Sequence, residues 1–281
     1  MNEAKKDKGM LYLVATPIGN LEDISYRAVR MLQEVDYIAA EDTRHSRKLL
    51  QHYQIQTPMI SYHQHNERQR SQELVDMMLE GKTIALISDA GTPGISDPGE
   101  VLVRLCHDTG ITVSVIPGAN AAISGLVVSG LATAPFVFLG FLSTDKKELK
   151  LQLEQLKAIS GTAVLYEAPH RVQKTLKVLL EQLGDVPIAM VRELTKVHET
   201  VWRGIISRAI IYLEEQRPRG EYVLLLELKN LTIANVFWKD WTLEQHMEHY
   251  EKQGVPRREA LKHMAKDREV PKRELYDYFM K

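Results

Sequence analysis

Residues 83–99 read TIALISDAGTPGISDPG: a short run that is apolar at consecutive positions, followed at once by a loop of Asp, Gly, Pro, Ser and Thr. Consecutive rather than alternating apolar residues suit a strand covered on both faces, as in a parallel sheet. Glycine and proline directly after it make a close, stiff turn at the strand's carboxyl end. The same grammar recurs on both sides, in MLYLVA at 10–15, VDYIAA at 35–40 and TVSVI at 112–116. Between such runs the period changes. In 67–80, Leu74, Val75, Met78 and Leu79 fall on one helical face before Gly81 ends the stretch. The first half is therefore predicted to be α/β, with crossover helices returning the chain to successive parallel strands.

A second series follows, FVFL at 136–139, TAVLY at 162–166, PIAMV at 187–191 and YVLLLEL at 222–228, with amphipathic stretches at 145–158 and 170–183. Between the two series, PGANAAISGLVVSGLATAP at 117–135 reads as a tightly packed helix with a short linker, at the edge of a ligand cleft. After about residue 235 charged helical segments are broken at Gly254-Val255-Pro256 and at Pro271. The expected organisation is an N-terminal α/β domain at 10–118, a C-terminal α/β domain at 119–234 and a helical basic tail, read as a hairpin, within 235–281.

Composition narrows the classes. The 281 residues carry 36 basic and 37 acidic side chains, and 44% are hydrophobic, enough for buried cores and against wholesale disorder. No run approaches the roughly 20 apolar residues of a bilayer span, and the charged start MNEAKKDKG has no signal-like segment behind it, so a cytoplasmic protein without a membrane partner is expected. The single cysteine, Cys106, excludes an intrachain disulfide and a multi-cysteine zinc site; its setting in VLVRLC favours a core thiol over a nucleophile.

The unusual residues stand in the loops. Thr16–Asn20, Asp89–Gly99 and Pro117–Ala121 all follow strands, and in an open α/β sheet ligands bind outside the carboxyl ends of the strands. Carboxylates such as Asp89 or Asp97 can accept hydrogen bonds from ribose hydroxyls or an amino group. Neither GxxxxGK[ST] nor GxGxxG is present, which counts against ATP hydrolysis and a standard NAD or FAD site and leaves a nucleoside ligand without a polyphosphate. Taken singly, each loop also has the composition of an ordinary turn.

Glu41-Asp42-Thr43-Arg44 sets two carboxylates beside a cation at a strand end, which supplies either a general base or a helix N-cap. From Thr43 to Gln72, Arg44, Arg47, Lys48, Arg68 and Arg70 stand against Glu67 alone, a local +4 hidden in a near-neutral chain. This stretch suits phosphate contacts, with Tyr53 and Tyr62 able to stack on bases; a solvated helix face is the alternative. His63 and His65 form H-x-H without an assured third ligand, so polar contacts are preferred and no metal is expected. Tyr166-Glu167-Ala168-Pro169-His170-Arg171 and Arg192-Glu193-Leu194-Thr195-Lys196 each place Glu with Arg, His or Lys at a strand end, ready to line a cleft or to form a structural ion pair. The tail has eight basic residues against three acids over 252–273, including Arg257 and Arg258.

With these residues in view, the chain resembles the tetrapyrrole methylase family of S-adenosylmethionine-dependent enzymes. The likeness runs through TPIGNLEDIS, AEDTR, SYHQHNE, LISDAGTPGISDPG, IPGANA, GFLS, YEAPHR, RELTK and RGEYVLLLE. Departures are Ala15 where glycine is frequent, Ala119-Asn120 for a Pro-Ser pair, and Ser143 where proline often closes GFLP. The resemblance implies two α/β domains with S-adenosyl-L-methionine folded in the cleft between them, in a homodimer. It places Pro17, Ile18, Gly19, Asp89, Gly91, Thr92, Asn120, Ala121, Tyr166 and Glu221 around the cofactor. Within the family the likeness is greatest to the ribose 2′-O-methylating members, which implies a cytidine in the decoding region of 16S rRNA as acceptor, in free RNA or in the assembled small ribosomal subunit. On that reading Asp42 or Glu41 takes or orients the hydroxyl proton, and Arg44, His63, His65, Arg68, His170, Arg171, Arg257 and Arg258 meet the RNA. A tetrapyrrole acceptor, and a non-catalytic RNA-binding assembly factor that keeps the pocket, are the alternatives.

Overall fold

A computed structural model describes residues 8–229, 238, 241–268 and 270–279. The TIALIS run becomes β4 (Ile84–Ile87), buried at all four positions. It lies inside a five-stranded parallel sheet with β1 (Met10–Val14), β2 (Tyr37–Ala40), β3 (Met59–Ser61) and β5 (Thr112–Ile116), in the order β3-β2-β4-β1-β5. The crossovers contain α1 (Tyr26–Glu34), α2 (Thr43–His52), α3 (Glu67–Leu79) and α4 (Glu100–Asp108). Alternate strand residues feed two cores. Leu11, Ile84 and Leu86 pack with Leu74, Met78 and Leu102, whereas Val14, Ile38 and Ile87 pack with Leu32 and Leu50. Both faces are covered, which is why the strands read as continuous apolar runs.

Local expectations are met with two corrections. Leu74, Val75 and Met78 are buried on α3, but Leu79 is turned toward solvent. Tyr62 is fully buried with its hydroxyl 3.1 Å from Ser71 Oγ, so its ring fills the core beneath α3 and cannot stack on a base. Tyr53 differs: it is half-buried, its hydroxyl donating to the Leu21 carbonyl at 2.7 Å while one side of the ring packs on the second core. Cys106 is a core thiol, its pKa pushed up to about 11 by burial.

The second sheet is mixed. β6 (Phe136–Phe141) runs parallel to β7 (Gly161–Glu167), while β10 (Tyr222–Leu228) lies antiparallel between β7 and β8 (Pro187–Arg192), and β9 (Thr200–Ile205) closes the edge beside β8. One face carries α6 (Lys146–Ala158), α7 (Val172–Leu183) and α8 (Ile206–Glu215), which share its larger core. The other carries α5 (Ala121–Ser129), the Gly/Ala-rich stretch. A Cβ on Gly125 would lie 3.2 Å from Val223 Cγ1, so the small residues let this helix sit close on β10 and bring Asn120 and Ala121 to the sheet's rim.

The described residues of the tail form three helices rather than a hairpin: α9 (Leu243–Lys252), α10 (Arg257–Asp267) and α11 (Lys272–Phe279) around Met247, Leu261, Met264 and Leu275. Residues 235–237, 239, 240, 269, 280 and 281 of the expected tail lie outside the described residues. No described helix is long and apolar enough to cross a membrane.

Candidate active site

The three turn-rich loops converge. Thr16 and Gly91 exchange backbone hydrogen bonds at 2.8 and 3.0 Å, and the Thr92 hydroxyl donates to the Ala119 carbonyl at 3.2 Å, so the loops after β1, β4 and β5 are tied into one rim. From the second sheet, Tyr166 reaches across α5, its hydroxyl accepting the Ala122 N–H at 3.1 Å, and Asn120 caps that helix by accepting the Ile123 N–H. Between the rims lies a cleft of about 290 Å³.

Ile18, Asp89, Gly91, Thr92, Asn120, Ala121, Tyr166 and Glu221 line this cleft. Pro17 and Gly19 flank it without lining it. Several lining residues come from positions the family resemblance did not single out: Ile95, Ser96, Asp97 and Phe141, together with Glu193, Leu194 and Lys196 from RELTK. For Asp97 the signal was present as the second acid of the β4 loop. For Glu193 and Lys196 both readings hold, since they line the cleft and pair at 3.1 Å.

The adjacent acids after β2 have parted roles. Asp42 Oδ1 caps α2, accepting the Arg44 N–H at 2.8 Å and the His45 N–H at 3.4 Å, and these bonds hold its carboxyl below the usual range. Its own N–H donates to Asp89 Oδ1 at 3.0 Å. Glu41 is pushed up, first by burial and then by the charge of Asp89. Asp97 is pushed up to about 7 by burial and by Glu41 and Asp89, against the opposing hydrogen bond from Ser88. The β2 and β4 loops thus hold half-buried carboxylates of like sign, Glu41 and Asp97, both pushed up, and Asp97 exchanges its proton near neutral pH.

The basic residues divide as well. Arg44 is exposed over 92% of its side chain, and Arg68, His170, Arg257 and Arg258 are also exposed. Arg257 pairs with Glu251 at 3.3 Å and lies over the Phe279 ring. Arg171 is turned inward. It lies 3.3 Å from the Glu167 carboxylate and donates to the Leu142 carbonyl at 2.6 Å. Glu167 is buried and also accepts from the Ala168 N–H and the Thr175 hydroxyl. The His63 and His65 rings meet edge-on at 5.9 Å, and His63 Nδ1 is buried without a hydrogen-bond partner. Among the described residues no group of three or more His, Cys, Asp or Glu could hold a metal ion.

The cleft fits a nucleoside joined to an amino acid. Its size is near the lower end of small-molecule pockets, about 300–1,000 Å³. Ile18, Ile95, Phe141, Val191 and Val223 offer apolar walls, and Asp89, Asp97 and Glu221 offer acceptors for hydroxyls and positive groups. The family model for Tetrapyrrole (Corrin/Porphyrin) Methylases matches residues 10–209, and the chain belongs to this family of S-adenosylmethionine-dependent methyltransferases. It is 48% identical over 278 residues, 98% of this chain and 95% of the relative, to the Bacillus subtilis (strain 168) protein named ribosomal RNA small subunit methyltransferase I. The Synechocystis sp. protein of the same name is 49% identical over 269 residues, 95% of this chain and 96% of the relative. Among solved structures, a diphthine synthase superposes with a TM-score of 0.64 at 14% identity, covering 79% of this chain and 90% of that one, a likeness of fold alone.

Proposed function

We propose that this methyltransferase methylates the ribose 2′-oxygen of a cytidine in the decoding region of 16S rRNA, in the cytoplasm, as a homodimer. The names of the full-length relatives support the rRNA acceptor. The observation that carries the chemistry is Asp97, half-buried in the cleft lining and pushed up to about 7 by burial and by the charge of Glu41, poised to take a proton near neutral pH.

Methyl transfer to a hydroxyl is an in-line displacement, so the site must align the acceptor and remove its proton. When bound, the cofactor supplies the methyl group on a sulfonium with a good leaving group. Asp97, helped by Glu41, accepts the hydroxyl proton, and Asp89 is oriented by the Asp42 N–H. Asp42 serves as the helix cap that holds this loop. Outside the cleft, Arg44 and Arg68 on the basic stretch, with His63, His65 and His170, take the phosphate backbone, and Arg257 and Arg258 extend the contact from the tail. Arg171 acts from within by neutralising Glu167. A second copy covers the face of α5, where Ile123 and Val127 are exposed.

The test is methyl transfer from labelled S-adenosylmethionine to small ribosomal subunits taken from cells lacking this enzyme, read by nucleoside mass spectrometry. Appearance of 2′-O-methylcytidine, or of its base-methylated form, is expected. Cofactor binding without transfer to subunits or free RNA would redirect the reading to a tetrapyrrole acceptor. Failure to bind the cofactor would leave an assembly factor. Light scattering of the same preparation reports the dimer.

A further inference from the structure

The turn after β8 holds two residues other than glycine in the left-handed region, Glu193 at φ +52° and Thr195 at φ +65°. For a β-branched residue this is an outlier, and such strain persists only where surrounding contacts over-determine it, commonly at binding sites. Those contacts are present. The Glu193 N–H donates to the Glu221 carbonyl at 3.2 Å, the Glu193 carboxylate accepts the Glu221 N–H at 3.1 Å, and the Thr195 N–H donates to the Glu199 carboxylate at 2.7 Å.

The strained turn delivers Lys196 to the cleft. Its stem runs along the loop after β1, where a Cβ on Gly19 would fall 2.4 Å from Lys196 Cγ and 2.9 Å from Cε. Only glycine leaves room for this lysine. Among the described residues lining the cleft, Lys196 is the one basic side chain, set among Asp89, Asp97, Glu193 and Glu221. Its ammonium lies 3.1 Å from Glu193 and 4.0 Å from Glu221. With three N–H donors and one close acceptor, it keeps a donor for a ligand.

Charge complementarity selects the ligand group. S-adenosylmethionine has two positive centres, the sulfonium and the ammonium, which suit the acids of the cleft; its one anionic group, the carboxylate, has a single cation to meet. The geometry points to Lys196 as the residue that holds the carboxylate of the cofactor's methionine portion, with Glu193 and the strained turn fixing its position. An RNA phosphate is the competing anion. Lys196, however, is packed on Gly19 inside the cleft, whereas Arg44 and Arg68 stand on the open surface. This assignment rests on the cleft being the cofactor site.

The experiment is a binding cycle by calorimetry with the full chain. S-adenosylhomocysteine is compared with S-adenosyl-3-thiopropylamine, which lacks only the carboxylate, on wild type, Lys196→Gln and Lys196→Arg. Wild type should prefer the carboxylate-bearing ligand by about tenfold or more, the size of a charge-assisted hydrogen bond. Lys196→Gln should lose that preference while binding the decarboxylated ligand within about twofold of wild type, and Lys196→Arg should restore part of it. An equal affinity of wild type for the two ligands would overturn the assignment without any variant having to fold. So would an equal loss on both ligands in Lys196→Gln, which would make the lysine a wall of the pocket. If neither ligand bound wild type, the cofactor site itself would be misplaced, a distinct result.

Discussion

The two rims of the cleft treat their carboxylates in opposite ways. On the second sheet's rim the two buried or half-buried acids that line the cleft each have a cation, Glu167 with Arg171 and Glu193 with Lys196. For Glu193, burial works to raise the pKa, but the bonds from Lys196 and the Glu221 N–H outweigh it and hold the group down. On the first sheet the charges acting on Asp97 are those of Glu41 and Asp89, of its own sign, and burial adds to them. Matched pairs fix geometry. A crowded acid such as Asp97, pushed up to about 7, exchanges its proton near neutrality, which is what a hydroxyl acceptor requires of a base. One rim is built to position and the other to exchange protons.

The sharpest way to break this division is Asp97→Asn. Methyl transfer should fall by about 100-fold or more, the ordinary worth of a general base, with cofactor affinity changed only a few-fold. The pH dependence supplies a second reading. A base with its pKa pushed up to about 7 is competent only when deprotonated, so wild-type turnover should rise with pH through that value and level off above it. The variant should lose this limb. The stability sign runs the other way. Because the folded-state pKa is raised, the contribution of Asp97 is fully present below its unfolded pKa and is lost as pH rises through about 7. Asp97→Asn should therefore raise the melting temperature at pH 8 relative to wild type and have little such effect at pH 4.

On the positioning rim, Arg171→Met should act on stability first. It strands the Glu167 carboxylate, whose side chain is 1% exposed, and the arginine is itself 28% exposed, so about 2 kcal/mol is expected, below the 3–5 of a fully buried pair. Urea unfolding measures this. A loss of RNA binding with unchanged stability would instead place Arg171 among the RNA contacts.

The contrast between the rims was only half legible in the sequence, for reasons that particular residues show. β4 and its loop were readable because both faces of the strand are covered and its turn is made of Gly, Pro and Asp. β3 is three residues long, and the edge strand β9 is mixed in polarity and at no position fully buried, so neither has a continuous apolar signal. Tyr62 sits among histidines and polar residues in sequence, and only the docking of α3 decides that it is core. Arg44 and Arg171 are alike as loop-side arginines. What separates them is a buried carboxylate four residues before Arg171, and burial of Glu167 follows from its place at the end of a central strand. Glu41 and Asp42 could not be told apart in sequence, because which of two adjacent acids caps α2 depends on the backbone angles at its first turn.

That last ambiguity leads to the smallest effect. Asp42 meets the geometric definition of an N-cap, with extended backbone at φ −111°, ψ 107° and a side chain accepting from the second and third helical N–H groups. A carboxylate occupied in this way, with its pKa held down by the Arg44 N–H, is a weak base and a good structural acceptor. Asp42→Ala should lower the melting temperature by about 2–4 °C, and Asp42→Asn, which keeps a capping oxygen, distinctly less. Turnover in both should stay within a few-fold of wild type, since the N–H that orients Asp89 belongs to the backbone and survives the substitution. A hundredfold fall in turnover in Asp42→Asn, with stability intact, would move the base from Asp97 to Asp42 and make the capping bonds a resting state of the catalytic group.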